Sequence, residues 1–261
     1  LADGRLGTRG APLFDDPSAE PGVLLTGVYT GEGAATRLAS CPDWTRLAVV
    51  SRRRSGVRRR LDLSTGLLRE EGPITSVRFS SLARPGTVAF RAQTYGATIR
   101  RSPRSRPGAP VVASFRSRRH VEAVERLGAY DPKPELARAA LAEAEEAGFE
   151  RLLREHRESW ARRWEAADVI VEGDPELQRS IRFALFHLMS SVADRGEAAV
   201  GARGLSGSAY SGHVFWDSDV FVLPFLAATH PGAARAMLEY RVRRLPAARA
   251  ASRALGRAGA R

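Results

Sequence analysis

The chain has 261 residues, enough for two domains and a sizeable core. Its formal charge of +12 comes almost entirely from arginine, with Lys133 the only lysine. This skew points to codon composition rather than to a nucleic-acid surface, and no stretch is apolar and long enough to cross a membrane.

No signal peptide opens the chain, so a cytoplasmic location is expected. Leu1-Ala-Asp-Gly-Arg-Leu-Gly reads as the interior of something longer. Residues 1–118 read as β structure. Short apolar runs, Val23–Leu25, Leu47–Val50 and Thr87–Phe90, alternate with Gly, Pro and Asp turn signals. Leu61-Asp-Leu-Ser-Thr-Gly-Leu-Leu68 reads as two strands around a Ser-Thr-Gly turn. Many short strands without helical periodicity predict a β-sandwich. The lone cysteine, Cys41, excludes an intramolecular disulfide and reads as a buried structural thiol. The arginine runs Arg52–Arg54 and Arg58–Arg60 and the Pro/Ser/Arg segment Ser102–Pro110 read as solvated loops.

The period changes near residue 131. Pro134 and Glu135 suit a first helical turn, and Leu136, Ala140, Leu141 and Ala144 recur at helical spacing. Gly148 breaks or joins two helices, since glycine lowers helix stability by about 1 kcal/mol relative to alanine. Phe149, Leu152, His156, Trp160 and Trp164 continue the stripe, which makes both tryptophans core residues of a linker helix over residues 119–173. Asp174 then caps a helix with Pro175 at its first position. Its expected buried stripe is Leu177, Ile181, Ala184, Leu185 and Leu188, and His187 reads as a core or groove histidine. A further helix begins at Asp217–Phe221 and is interrupted or bent at Pro224. Another begins near Pro231, carries Ala234, Met237, Leu238, Val242 and Leu245, and is expected to end at Pro246. Residues 174–261 thus read as the start of a helical toroid. Ala247–Arg261 loses its apolar face, so the expectation is a fragment at both ends, or a frame lost near the end.

The densest chemistry lies between Gly201 and Asp217. Gly201, Gly204, Gly207 and Gly212 lead into Tyr210, His213, Phe215, Trp216 and Asp217. The glycine spacing is not a nucleotide-binding fingerprint. An indole beside a carboxylate suits a sugar, whose C–H face packs on the ring while its hydroxyls donate to the carboxylate. Spacing alone leaves a second reading open, with Asp217 a helix cap and Trp216 a core anchor.

Arg203-Gly-Leu-Ser-Gly, Tyr210-x-Gly-His-Val-Phe-Trp-Asp217 and Leu223-Pro-Phe225 closely resemble glycoside hydrolase family 65, which contains maltose, trehalose and kojibiose phosphorylases and related hydrolases. Other landmarks follow in family order. They are Gly4-Arg-Leu-Gly-Thr-Arg-Gly10, with Asp3 in place of the family's Asn, then Pro42-Asp-Trp44, Arg78-Phe-x-Ser-Leu82 and His156-x-x-x-Trp160-x-x-x-Trp164. The resemblance implies an α+β multidomain fold: an N-terminal β-sandwich over residues 1–118, a helical linker over 119–173, and the first helices of an incomplete (α/α)6 barrel over 174–261. It places the non-reducing glucose on Trp216 and Asp217, with Tyr210, His213 and Arg203 as supporting candidates.

The implied reaction is inverting: a Glu protonates the glycosidic oxygen while phosphate or water attacks the opposite face. The family's acid lies in later barrel segments. Glu197 and Glu239 are the nearest carboxylic acids and neither matches it, so no catalytic residue is assigned, and this fragment is expected to be inactive alone because the acid lies beyond Arg261. The implied partner is an α-linked glucose disaccharide, with no nucleic acid or membrane and a homodimer at full length. No cofactor or metal is expected; inorganic phosphate would be co-substrate in a phosphorylase. Gly207-Ser-Ala-Tyr210 replaces the family's Gly-Glu-Gly-Tyr, and Asp217-Ser-Asp219 replaces Asp-Thr-Glu. The alternative reading is a non-enzymatic carbohydrate-binding module.

Overall fold

The computed structural model describes residues 1–10, 22–45, 48–50, 57–72, 74–94, 98–100, 110–119, 123–194, 199–207 and 209–257. Arg52–Arg54, most of Ser102–Pro110, Leu47, Glu197, Ser208 and the last four residues fall outside them.

The strands are β1 (Leu6–Thr8), β2 (Val23–Thr30), β3 (Arg37–Ser40), β4 (Ala48–Val50), β5 (Arg58–Asp62), β6 (Leu67–Glu71), β7 (Ile74–Ser80), β8 (Thr87–Thr94), β9 (Thr98–Arg100), β10 (Val112–Arg119) and β11 (Ala123–Asp131). Four α-helices follow: α1 (Pro134–Ala167), α2 (Pro175–Ser190), α3 (Leu223–Thr229) and α4 (Pro231–Ala254). β1-β2-β3 form one antiparallel sheet, β10-β11-β8-β7-β6-β5 a second, and β4-β9 a short pair. β11 pairs with both β10 and β8, so the sheet runs past the expected boundary at residue 118 and the helical part begins at Pro134.

Side chains alternate across a strand, and here both faces of the large sheet are buried. Val88, Phe90 and Ala92 join Leu6, Leu25, Trp44 and Tyr130 in a core shared with the three-stranded sheet. Ala89, Leu127 and Ala129 face the other way, against Leu141, Ala144, Phe149 and Leu152 of α1. Cys41 lies in the first core, where burial pushes its thiol up to about 12. The β5–β6 turn forms where the sequence signals it, because the Asp62 carboxylate accepts from the backbone and hydroxyl of Ser64, at 3.0 and 2.7 Å.

α1 buries Ala137, Leu141, Ala144, Phe149, Leu152, His156 and Trp160. Leu136, expected in this stripe, is exposed. The step of five from Ala144 to Phe149 spans Gly148, whose φ of 70° and ψ of 167° break the helix and reset its buried face. Trp160 stacks on Phe186 of α2 at 4.7 Å, and the Trp164 indole donates to the Leu63 carbonyl at 2.9 Å. Both tryptophans are therefore packing residues that join the β5–β6 turn to the helices. The Arg163 guanidinium donates to the Met189 and Val192 carbonyls and satisfies the C-terminal end of α2.

Three expectations for the helices are corrected. In α2 the buried residues are Phe186, Met189 and Ser190, whereas Leu177 and Ala184 are exposed and Ile181, Leu185 and Leu188 are half-buried. In α4, Ala233, Ala234, Ala236, Met237 and Tyr240 are buried, while Leu238, Val242 and Leu245 are exposed. Periodicity identified apolar faces, but among the described residues no element covers them. Pro246 also does not end α4, which continues to Ala254. Proline's fixed φ is helical, and an exposed turn leaves water to satisfy the carbonyl that its missing N–H would have bonded.

Candidate functional site

The segment from Ala199 to Val222 lies between α2 and α3 and is held from two sides. Leu205 is buried, and its N–H donates to the Ser191 hydroxyl at the end of α2. The chain then turns through Tyr210 and Ser211, both left-handed with φ of 57° and 55°, into Gly212 with φ of 70°. Consecutive non-glycine residues in that region are strained, and such strain gathers at functional loops.

The three-stranded sheet supports this turn. The Tyr29 hydroxyl donates to the Gly212 carbonyl at 2.9 Å, and the Tyr29 ring stacks on His213 with centroids 5.9 Å apart and planes 9° apart. The Gly212 carbonyl thereby has a donor, and the Ala202 N–H donates to the His213 carbonyl at 3.2 Å.

Beyond the turn, Tyr210 meets Phe215 edge-on at 6.1 Å, and both are exposed. Trp216 is 69% exposed, so it anchors no core among the described residues. Asp217 is also exposed. It stands at the entry to a π-helical turn, Ser218–Val222, yet its side chain makes no cap hydrogen bond. The cap reading of Asp217 is thereby removed, and its carboxylate is left for other donors. Short π-helical turns recur at functional sites because they reorient side chains within a helix.

The remaining candidates lie apart. His213 is half-buried against Tyr29, so it supports the loop. Arg203 is exposed on the preceding turn, where its carbonyl accepts from the Ser206 backbone and hydroxyl. Glu239 is ion-paired with Arg235 and Arg243 on the surface of α4.

Sequence reading missed Arg241. Its guanidinium donates from Nε to Asp219 Oδ2 at 2.9 Å and from Nη2 to the Phe215 carbonyl at 2.7 Å, anchoring the loop to α4. The Asp217-Ser-Asp219 string offered a hint, since an arginine is a favourable partner for either carboxylate. A separate cavity of about 310 Å³ lies between the β part and α2, lined by Thr8, Leu61, Leu68, Phe186, His187 and Ser190 among others. His187 is thus a groove histidine, and burial lowers its pKa.

Comparison with known proteins gives a consistent result. The glycosyl hydrolase family 65 central catalytic domain matches residues 182–261. The α,α-trehalose phosphorylase of Thermoanaerobacter brockii is 45% identical over 128 residues, covering 48% of this chain and 16% of that protein. The kojibiose phosphorylase of Caldanaerobacter subterraneus subsp. tengcongensis is 46% identical over 103 residues, covering 39% of this chain and 13% of that protein. The kojibiose hydrolase of Flavobacterium johnsoniae is 41% identical over 130 residues, covering 50% and 19%. The aligned segments thus span less than a fifth of each of these relatives.

A solved candidate kojibiose phosphorylase from the human microbiome superposes with a TM-score of 0.81 at 18% identity, over 97% of this chain and 45% of that one. It shares the order of sheets followed by helices. The chain is thus similar to proteins of glycosyl hydrolase family 65, and its residues 182–261 match that family's central catalytic domain.

Proposed function

We propose that Trp216 and Asp217 form the glucose-holding wall of a site that cleaves an α-linked glucose disaccharide with inversion. One observation carries this reading: Trp216 is 69% exposed beside a carboxylate that caps nothing. An exposed indole face is expensive to leave in water unless it is used, and a sugar's C–H face matches it. Tyr210 and Phe215 extend the aromatic edge, and His213 holds the loop in place.

The acceptor is inorganic phosphate or water, as in the named phosphorylases and hydrolase among the relatives. We assign the catalytic acid to none of the described carboxylates. In this reading the β part is a sandwich, α1 is its linker, and α2 to α4 open an (α/α)6 barrel. The uncovered apolar faces of α2 and α4 support that assignment, since further helices would bury them.

The test is turnover of maltose, trehalose and kojibiose, with and without inorganic phosphate, by a protein that joins this chain to the family's acid-bearing barrel segments. Inversion predicts β-glucose 1-phosphate with phosphate and β-glucose without it. Trp216→Ala and Asp217→Ala should each remove activity while leaving circular dichroism unchanged. Wild-type rates in either variant would overturn the sugar wall. Saturable sugar binding without turnover, in the protein that carries those segments, would favour the binding-module alternative.

A further inference from the structure

We propose that Arg241 is the positioning residue of the Trp216–Asp217 pair, an inference that rests on the sugar-wall reading above. Arg241 sits on α4, and its guanidinium reaches two groups at once. It donates from Nε to Asp219 Oδ2 at 2.9 Å, its Nη2 forms an ion pair with the same oxygen at 2.7 Å, and Nη2 donates to the Phe215 carbonyl at 2.7 Å. These two acceptors bracket the pair. Phe215 immediately precedes Trp216, and Asp219 follows Asp217 by two residues. One rigid, planar group therefore grips the segment on both sides of the residues that would touch sugar.

The segment needs such a grip. Trp216 and Asp217 are exposed, so packing does not orient them. The local backbone bonds are few: the Trp216 carbonyl accepts from the Asp219 and Val220 N–H groups, and the Ser218 hydroxyl donates to the Phe215 carbonyl at 2.9 Å. Arg241 adds the link to a separate, long helix. Its neighbour Tyr240 is buried and lines a small cavity with Leu38, Gly212 and Val214, so α4 is docked against the loop at this turn.

As an ion pair, Arg241–Asp219 is partly exposed, with side chains at 36% and 30%, and such pairs contribute little to stability. Its value is orientation. A binding wall loses affinity when its groups are free to wander, because binding must then order them. Lysine cannot substitute, since a single ammonium lacks the fork that spans a carboxylate and a carbonyl in fixed geometry.

The experiment is fluorine NMR on the chain labelled with 5-fluorotryptophan. The four tryptophans give four resonances, and Trp216→Phe assigns the one of interest. Trp44 and Trp160 are fully buried, and with Trp164 they report on the fold. In Arg241→Met, the Trp216 resonance should move toward that of free 5-fluorotryptophan while the other three stay in place. Glucose and maltose titrations followed at Trp216 should show affinity reduced by roughly tenfold, and Arg241→Lys should not restore it.

Asp219→Asn leaves α4 untouched and should weaken sugar binding in the same direction, which keeps the test decisive if Arg241→Met misfolds. A Trp216 resonance and sugar affinity unchanged in Arg241→Met, or in Asp219→Asn if that variant alone folds, would overturn the positioning role. A Trp216 resonance that moves in the variants but does not respond to either sugar in the wild type would support positioning and sink the sugar-wall reading.

Discussion

Tyr29 on β2 holds Gly212 in the loop that leads to the exposed indole, through a 2.9 Å hydrogen bond from its hydroxyl to the Gly212 carbonyl. Gly212 has no room for a side chain: a Cβ there would lie 1.7 Å from Leu38 Cδ1 on β3, and φ is +70°. The β part therefore supports the loop that carries Trp216 and Asp217.

Tyr29→Phe keeps the ring on His213 and removes one hydrogen bond, so it should cost about 1 kcal/mol. Gly212→Ala meets both the Leu38 side chain and a left-handed backbone, and should cost more, about 2 kcal/mol or above. Urea unfolding midpoints check the order. Equal midpoints for the two variants would show that the loop is not seated on β3.

Acidification should destabilise the chain through His156. This imidazole is buried, its Nδ1 accepts from the Leu82 N–H at 3.1 Å, and burial lowers its pKa from 6.5 to about 4. The folded state binds the proton less readily than the unfolded chain does. Stability from this group is complete above about 6.5 and is lost as pH falls toward 4, by about 3 kcal/mol in all. His187 and His230 are displaced in the same direction and add to the slope. His156→Leu should flatten the dependence of the urea midpoint between pH 7.5 and pH 4.5 relative to wild type. An unchanged slope would remove His156 from this account.

Gly148→Ala should destabilise the chain although alanine favours helices. A φ of 70° with ψ of 167° is open essentially to glycine alone, and no atom lies within 4 Å of the point a Cβ would occupy, so the cost is conformational. About 1–3 kcal/mol is expected. A variant as stable as wild type would mean that α1 can straighten through the kink and rephase its buried face.

Local chemistry was legible in the sequence and distant chemistry was not. Asp174 was readable as a cap because its acceptor needs only the next few N–H groups, and it accepts from Glu176 and Leu177. Gly148 and the Ser64–Gly66 turn were readable for the same reason. Trp216 and Asp217 stood out as adjacent residues whose chemistry is complementary to a sugar. Leu177 and Leu245 were misplaced because periodicity tells which side chains share a face, not whether anything covers it. Pro246 was misread because a rule for helix interiors was applied where solvent relieves the missing bond. Arg241 was hidden in an arginine-rich chain, and its partner is 22 residues away. The role of His213 depended on Tyr29, which no local pattern connects to it.

Trp160 carries a consequence for how the molecule comes apart. Its ring lies in one apolar cluster with Leu61 and Leu63 from the β5–β6 region, Ala167 from α1, Phe186 and Met189 from α2, and Phe225 from α3. A Cβ on Gly66 would sit 2.2 Å from its indole nitrogen, so the hairpin turn is pressed directly onto it. Pulling the sheets from the helices would open this cluster to water. The β and helical parts should accordingly lose their structure in one cooperative step, and amides at the β5–β6 turn and in the middle of α2 should exchange with solvent at a common rate.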